Sequence, residues 1–223
     1  MPVVLAFDTA GSACSVAVAR GDSVLGAERH AMRHGHAEAL LPMIGRVIKA
    51  AGLAPVDIDG VAVTVGPGGF TGIRAGIAAA HGLALGCDAP LLGVTSFAAV
   101  AAPILVADAR LLVALDSRRA DFYVQLFATT GVPITKPAAI PPEQLDAWVG
   151  EAPVRIAGDV AEAAAAVLSA HRDIELVANS APDARGVLAA IQRWPERADP
   201  MAHPLYLRPP DVSFPKARRG RPS

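Results

Sequence analysis

Val4-Leu-Ala-Phe-Asp8-Thr9 and Leu112-Val-Ala-Leu-Asp116-Ser117 share one pattern: an apolar strand-like run that ends in aspartate and then a hydroxyl residue. A short loop and a second apolar run follow each copy, at 15–19 and 122–127. The repeat divides the chain into two units that begin alike. Outward from the first copy, Gly21-Asp22 marks a turn and 23–28 reads as a third strand, which makes an antiparallel meander. An amphipathic helix is expected over 36–51, with Leu40, Leu41, Ile44, Val47, Ile48 and Ala51 on one stripe, Pro42 near its start and Gly52 as its stop. Strand 60–65, a glycine-rich loop, helix 71–85, strand 91–94 and a short helix at 96–102 complete the unit. Residues 103–110 read as a boundary. Beyond the second copy, Thr129-Thr-Gly131 is a turn, and helices near 142–149, 160–170 and 183–193 alternate with short strands at 154–157 and 174–177. That alternation is an α/β pattern.

The chain has 223 residues, 52% of them hydrophobic, so a large core or two small ones can form. Formal net charge is −1, which gives no global field to draw nucleic acid. The basic cluster Lys216, Arg218, Arg219 and Arg221 stands among Pro and Gly and reads as a solvated tail, with RNA contact as the alternative. No apolar run reaches the roughly 18 residues of a membrane span. The N-terminus shows no basic leader, and Cys14 and Cys87 read as free thiols, so a cytoplasmic location is expected.

Gly66-Pro-Gly-Gly-Phe-Thr-Gly-Ile-Arg-Ala-Gly76 lacks the lysine of a phosphate-binding P-loop, and its third glycine falls at 72 rather than where a dinucleotide fingerprint needs it. The helix after it carries Gly72, Gly76 and Ala80 on one nearly bare face, which invites close packing. A structural or interface role is expected for this loop. His30 and His34 have a ligand-like spacing, yet Arg29 and Arg33 beside them oppose a cation, so His30, His34 and His36 read as a solvated connection. Ser12 and Cys14 lack an evident activating base. Arg118 and Arg119 read as a solvated hairpin turn, with an anion contact as the alternative, and Gly158-Asp159 is a weak adenine-side signal.

Duplicated strand–Asp–turn–strand units resemble the starts of the two lobes in the actin, hexokinase and Hsp70 class. Four segments are more specifically similar to the TsaB (YeaZ) family: Leu5-Ala-Phe-Asp-Thr9 with Cys14-Ser-Val-Ala-Val18; His36-Ala-Glu-Ala-Leu-Leu-Pro-Met-Ile44; the 66–76 loop; and Leu115-Asp-Ser-Arg-Arg119 with Phe122-Tyr123. Pro204-Leu-Tyr-Leu-Arg208 resembles the family's closing motif, and Gly69 stands where many relatives have serine.

The resemblance implies an actin-like, Hsp70-like two-lobed α/β fold, each lobe a mixed sheet with helices. The first lobe would span 1–104, the smaller second lobe 105–208 with its last part able to return to the first, and the basic tail 209–223. It implies a non-catalytic scaffold without cofactor or metal, working in threonylcarbamoylation of adenosine 37 of tRNA. Its partners would be the related catalytic subunit TsaD, the ATPase TsaE and, without them, a second copy of itself. It would touch tRNA only through the complex and no membrane. The TsaD interface would comprise His36, Leu40, Leu41, Ile44, Val47 and Ile48 of one helix, with Gly72, Ile73, Gly76 and Ala80 of the next. The catalytic relative holds a metal with two histidines after the strand that follows the small-residue helix. The matching stretch here, Leu92-Gly-Val-Thr-Ser-Phe-Ala-Ala-Val100, has no histidine and no carboxylate. The rival reading is an actin-like ATPase or phosphotransferase with Asp8 and Asp116 on Mg-ATP.

Overall fold

The computed structural model describes residues 1–105, 109–168, 173–177 and 181–208. The basic tail at 209–223, the end of the expected helix 160–170 and part of the 103–110 boundary lie outside the described residues. Two five-stranded mixed sheets form. The first is built from β1 (Val3–Asp8), β2 (Ala13–Arg20), β3 (Ser23–Ala31), β4 (Gly60–Gly66) and β5 (Leu91–Thr95), in the order β3-β2-β1-β4-β5. The second holds β6 (Arg110–Asp116), β7 (Phe122–Phe127), β8 (Ala138–Ile140), β9 (Val154–Ala157) and β10 (Ile174–Leu176), in the order β10-β9-β6-β7-β8. Read outward from β1 and from β6, the orders are the same. An antiparallel meander comes first, then two parallel strands.

The helices repeat as well. α1 (His36–Ala50) and α2 (Phe70–Cys87) connect the later strands of the first sheet, as α4 (Pro142–Val149) and α5 (Ala161–Ala165) do in the second. α3 (Ser96–Ala101) and α6 (Ala184–Arg193) follow the fifth strand of each sheet. They share one core cluster with Ala6, Ala17 and Ala62 of the first sheet and Leu111, Val113 and Leu115 of the second, so they fill the space between the sheets. Alternation along β1 sends Leu5 and Phe7 to the opposite face, under α1 and α2, while α4 and α5 cover Leu112 and Ala114 on the far side of the second sheet.

Several expected elements shift. The third strand runs on to Ala31, and helix 71–85 starts one residue earlier and ends at Cys87. The helix expected over 160–170 covers only Ala161–Ala165, since residues 166–168 are turn and bend, and β8 forms in a proline-rich stretch where no strand is expected. Gly52 ends α1 in the left-handed region at φ 69°, and Leu53 N donates back to Ile48 O at 3.1 Å.

The largest correction concerns the apolar stripe. Leu40, Ile44, Val47 and Ile48 are buried against the first sheet, as are His36, Gly72, Ile73, Gly76 and Ala80, and only Leu41 of the ten expected interface residues is exposed. A helix in a two-layer lobe covers its own sheet first, because that burial needs no partner.

The chain then returns to its beginning. Ala184 N donates to Ser15 Oγ at 2.9 Å, Gln192 Nε2 to Gly21 O at 2.7 Å, and Leu205 N to Val65 O at 2.8 Å. Gly93 and Asp199 exchange backbone hydrogen bonds at 2.8 and 2.9 Å.

Candidate functional site

Asp8 ends β1 fully buried. Its Oδ1 accepts from Thr64 Oγ1 at 2.5 Å and from Ala10 N at 3.1 Å, and its Oδ2 has no hydrogen-bond partner. Burial lifts its pKa from 3.8 to about 6, against the pull of the Thr64 hydroxyl and the Ala10 amide. The folded chain therefore holds this proton more tightly than the unfolded chain does. Stability falls as pH rises from about 4 to about 6 and stays lower above, by on the order of 3 kcal/mol. Asp8→Asn keeps an acceptor for Thr64 and cannot ionise. It is expected to raise the melting temperature by on the order of 5 °C at about pH 8, with no gain near pH 4. An equal effect at both pH values would contradict this account.

The glycine-rich loop packs on the Asp8 loop, backbone to backbone. Gly69 N donates to Ala10 O at 2.8 Å, and Thr9 Oγ1 donates to Gly72 O at 2.8 Å. A Cβ on Gly68 would stand 2.4 Å from Ala10 O, and one on Gly72 only 2.0 Å from Thr9 O. The bare face of α2 is thus occupied by its own lobe. The 204–208 segment braces the other side of the loop. Tyr206 OH accepts from Arg74 Nε at 3.1 Å, the Arg74 guanidinium lies 3.8 Å from the Phe70 ring centroid, and Arg208 pairs with Asp121.

Across the cleft, Asp116 Oδ1 accepts from Arg118 N at 2.6 Å, and Asp116 N donates to Asp159 Oδ1 at 2.9 Å. Between the two aspartate loops the cavity measures about 30 Å³, with Gly11, Gly68, Asp116, Arg118 and Asp159 in its wall. That holds a water or two rather than a nucleoside triphosphate. Gly158 has φ 116°, and a Cβ there would stand 1.8 Å from Ala114 O, so this glycine serves close packing on β6.

The other candidates disperse. His30 lies on β3 and its Nε2 meets Glu28 Oε1 at 2.7 Å, while His36 opens α1. Among the described residues no three metal-ligating side chains converge. Burial pushes the buried Cys14 thiol up to about 11, which leaves it a poor nucleophile. Residues 92–100 form β5 and α3, where Val94, Phe97, Ala99 and Val100 are buried.

What remains unexplained by the chain's own packing is the outward side of α1 and α2. Leu41 is 56% exposed and Leu85 85%. Around them Pro42, Gly45, Ala78, Gly82 and Gly86 are exposed, and a Cβ added to Gly45, Gly82 or Gly86 would meet nothing within 4 Å. A glycine inside an exposed helix costs about 1 kcal/mol relative to alanine. Three of them with open space outside are a cost that the isolated chain does not offset. At the rim Arg46 Nη2 reaches Glu28 Oε1 at 2.7 Å. Apart from Leu41, the residues expected on the interface of these two helices turn toward the sheet, and the outward side carries Leu85, the glycines 45, 82 and 86, and small residues between them.

Two lobes of one topology, each opening on a strand that ends in aspartate, place the chain in the actin-like class. An activator of 2-hydroxyisocaproyl-CoA dehydratase from Clostridium difficile, solved with bound ADPNP, shares this fold and no more, with a TM-score of 0.51 at 13% identity over 85% of this chain and 93% of that one. Within the class the similarity is far narrower. A family model described as TsaD, tRNA N6-adenosine threonylcarbamoyltransferase, matches residues 29–171. The tRNA threonylcarbamoyladenosine biosynthesis protein TsaB of Escherichia coli is 37% identical over 122 residues, 54% of this chain and 52% of that protein. YeaZ from Pseudomonas aeruginosa superposes with a TM-score of 0.78 at 29% identity, over 93% of this chain and all of that one. The chain belongs to the TsaB/YeaZ family.

Proposed function

We propose that this chain is the non-catalytic partner subunit of the machinery that makes threonylcarbamoyladenosine in tRNA, and that it docks on the catalytic subunit TsaD through the outward faces of α1 and α2. The observation that carries the proposal is the run of exposed helical glycines beside Leu41 and Leu85. Side chains that small allow two helices to approach closely, and close approach multiplies dispersion contacts along both backbones. His36, Leu40, Ile44, Val47, Ile48, Gly72, Ile73, Gly76 and Ala80 support the face from beneath by fixing both helices on the sheet. The same face is self-complementary in kind and would pair two copies when TsaD is absent.

The non-catalytic reading draws on two features. The cleft between the Asp8 and Asp116 loops is small, and the 92–100 stretch offers no histidine and no carboxylate. TsaE is a further partner on this reading, tRNA is reached only through the complex, and the work is done in the cytoplasm. No helix among the described residues is long and apolar enough to cross a membrane.

Light scattering of the chain alone, and mixed with TsaD from the same genome, tests the proposal. We expect a two-copy assembly alone and a one-to-one complex in the mixture. A monomer at every concentration, with no change on adding TsaD, would reject it.

A further inference from the structure

Between the two lobes lies a cavity of about 270 Å³ that shares no wall residue with the cleft between the aspartate loops. Val94 and Ala98 line it from the first lobe, Phe127 and Pro133 from the second, and Ile191 and Trp194 from α6 and its end. It is an apolar chamber at a lobe junction, where small molecules preferentially bind. An apolar cavity of about 150 Å³ accepts benzene. This one has room for a two-ring aromatic system.

Its walls are held in place by the fold. The turn after β7 is closed by Ala128 N donating to Val132 O at 2.8 Å and Ile134 N to Leu126 O at 2.7 Å. Trp194 stacks on Phe127, with ring centroids 6.3 Å apart and planes 13° from parallel. The turn lies directly on the indole at Gly131, where φ is 83° and a Cβ would stand 2.9 Å from Trp194 Cζ2.

Two polar side chains stand in this apolar wall. Gln125 is 7% exposed and is the one carboxamide among the buried polar residues described. It shares the inner face of β7 with Tyr123 and Phe127, where alternation calls for an apolar residue. Its Nε2 donates to Thr135 O at 3.2 Å, which makes Oε1 the acceptor end of the amide. Arg197 supplies a cation. Its guanidinium lies 4.7 Å from the Trp194 ring centroid, and Nη1 donates to Gly131 O at 3.0 Å. Its contact with the neighbouring Glu196 is long, 3.5 Å at Nε, and Glu196 is 66% exposed and outside the wall. No carboxylate lines the cavity, and Arg193 adds a second guanidinium 5.6 Å from the same indole. The chamber is therefore apolar inside and positively charged on one side.

We propose that this cavity binds a bicyclic aromatic carboxylic acid, with its rings against Phe127, Ile191 and Trp194, its carboxylate on Arg197 and a ring N–H donating to Gln125 Oε1. Arginine–carboxylate hydrogen bonds are among the strong ones, and a site that pairs a polar ring atom rejects the analogue lacking it. A molecule held there touches both lobes and α6, so its binding stabilises the folded chain.

Indoleacetate is the probe, titrated calorimetrically into the full chain. Saturable binding with a Kd below about 1 mM is expected, with a melting temperature that rises as the site fills. Indoleacetamide lacks the charge and naphthaleneacetate lacks the ring N–H. Each is expected to bind at least about tenfold more weakly. Arg197→Met keeps an unbranched stem beside Trp194 and is expected to erase the preference for indoleacetate over indoleacetamide. Ala98→Leu fills the cavity from α3. It is expected to abolish binding with the melting temperature unchanged or raised, which no loss of folding would produce. The proposal is overturned if indoleacetate shows no saturable binding, if either analogue binds as tightly, or if Arg197→Met or Ala98→Leu binds indoleacetate as well as the wild type does.

Discussion

Gly72→Ala is expected to destabilise the protein by about 3 kcal/mol or more, although it adds a single methyl group. The new Cβ would stand 2.0 Å from Thr9 O and 3.1 Å from Thr9 C. These are backbone atoms at the end of β1, and no rotamer change can move them. Thr9 is also tied to the same turn of α2 through its hydroxyl, so helix and loop cannot separate without losing that bond and the Gly69–Ala10 bond beside it. Overpacking in a well-ordered core typically costs about 1–3 kcal/mol, and a backbone overlap of this size belongs at the top of that range or beyond. A urea midpoint and a melting temperature lower by roughly 6–12 °C would register it. Gly76→Ala meets Thr9 Oγ1 at 2.3 Å, a side-chain atom that can rotate, and is expected to cost less. Gly82→Ala meets nothing and is expected to stabilise the isolated chain by about 0.5–1 kcal/mol. A wild-type midpoint for Gly72→Ala would remove this account of the glycine-rich segment.

The second large effect is expected at the outer helix faces. Leu41→Glu and Leu85→Arg each remove an exposed leucine whose burial in the proposed docking would contribute about 1.5–3 kcal/mol, and each would put a charge into an apolar seat. Either change should weaken association with TsaD by about 100-fold, since every 1.4 kcal/mol is roughly a factor of ten. The two together should eliminate co-elution. Neither residue supports its own lobe, so melting of the free chain should move by no more than about 0.5 kcal/mol equivalent. Gly76→Arg, although on the expected interface, would disrupt the fold before it reported on docking. Unimpaired complex formation by the double variant would rule out the outer helix faces as the interface.

Periodicity along this chain encodes some features of the fold and leaves others open. The paired strand–aspartate phrases fixed the duplication, and the two sheets repeat it strand for strand. The 3.6-residue rhythm of 36–51 announced a helix with one greasy side. It could not say what covers that side, because rhythm reports contrast between faces and not the identity of the neighbour. The i, i+4, i+8 glycines announced a close approach. Its object, Thr9, is 63 residues away from Gly72, and nothing local encodes such a pairing. β8 is three residues long between prolines at 137 and 141, too short for an alternation to register.

The bond between Ser15 and Ala184 spans 169 positions and completes the inner surface of the earliest strands. A ribosome releases those strands long before α6 exists to cover Ala6 and Ala17. The opening half of the molecule is therefore no autonomous fragment. It must wait, partly bare, until nearly the whole polypeptide has emerged, and closing so distant a contact is among the slower events in a chain's maturation.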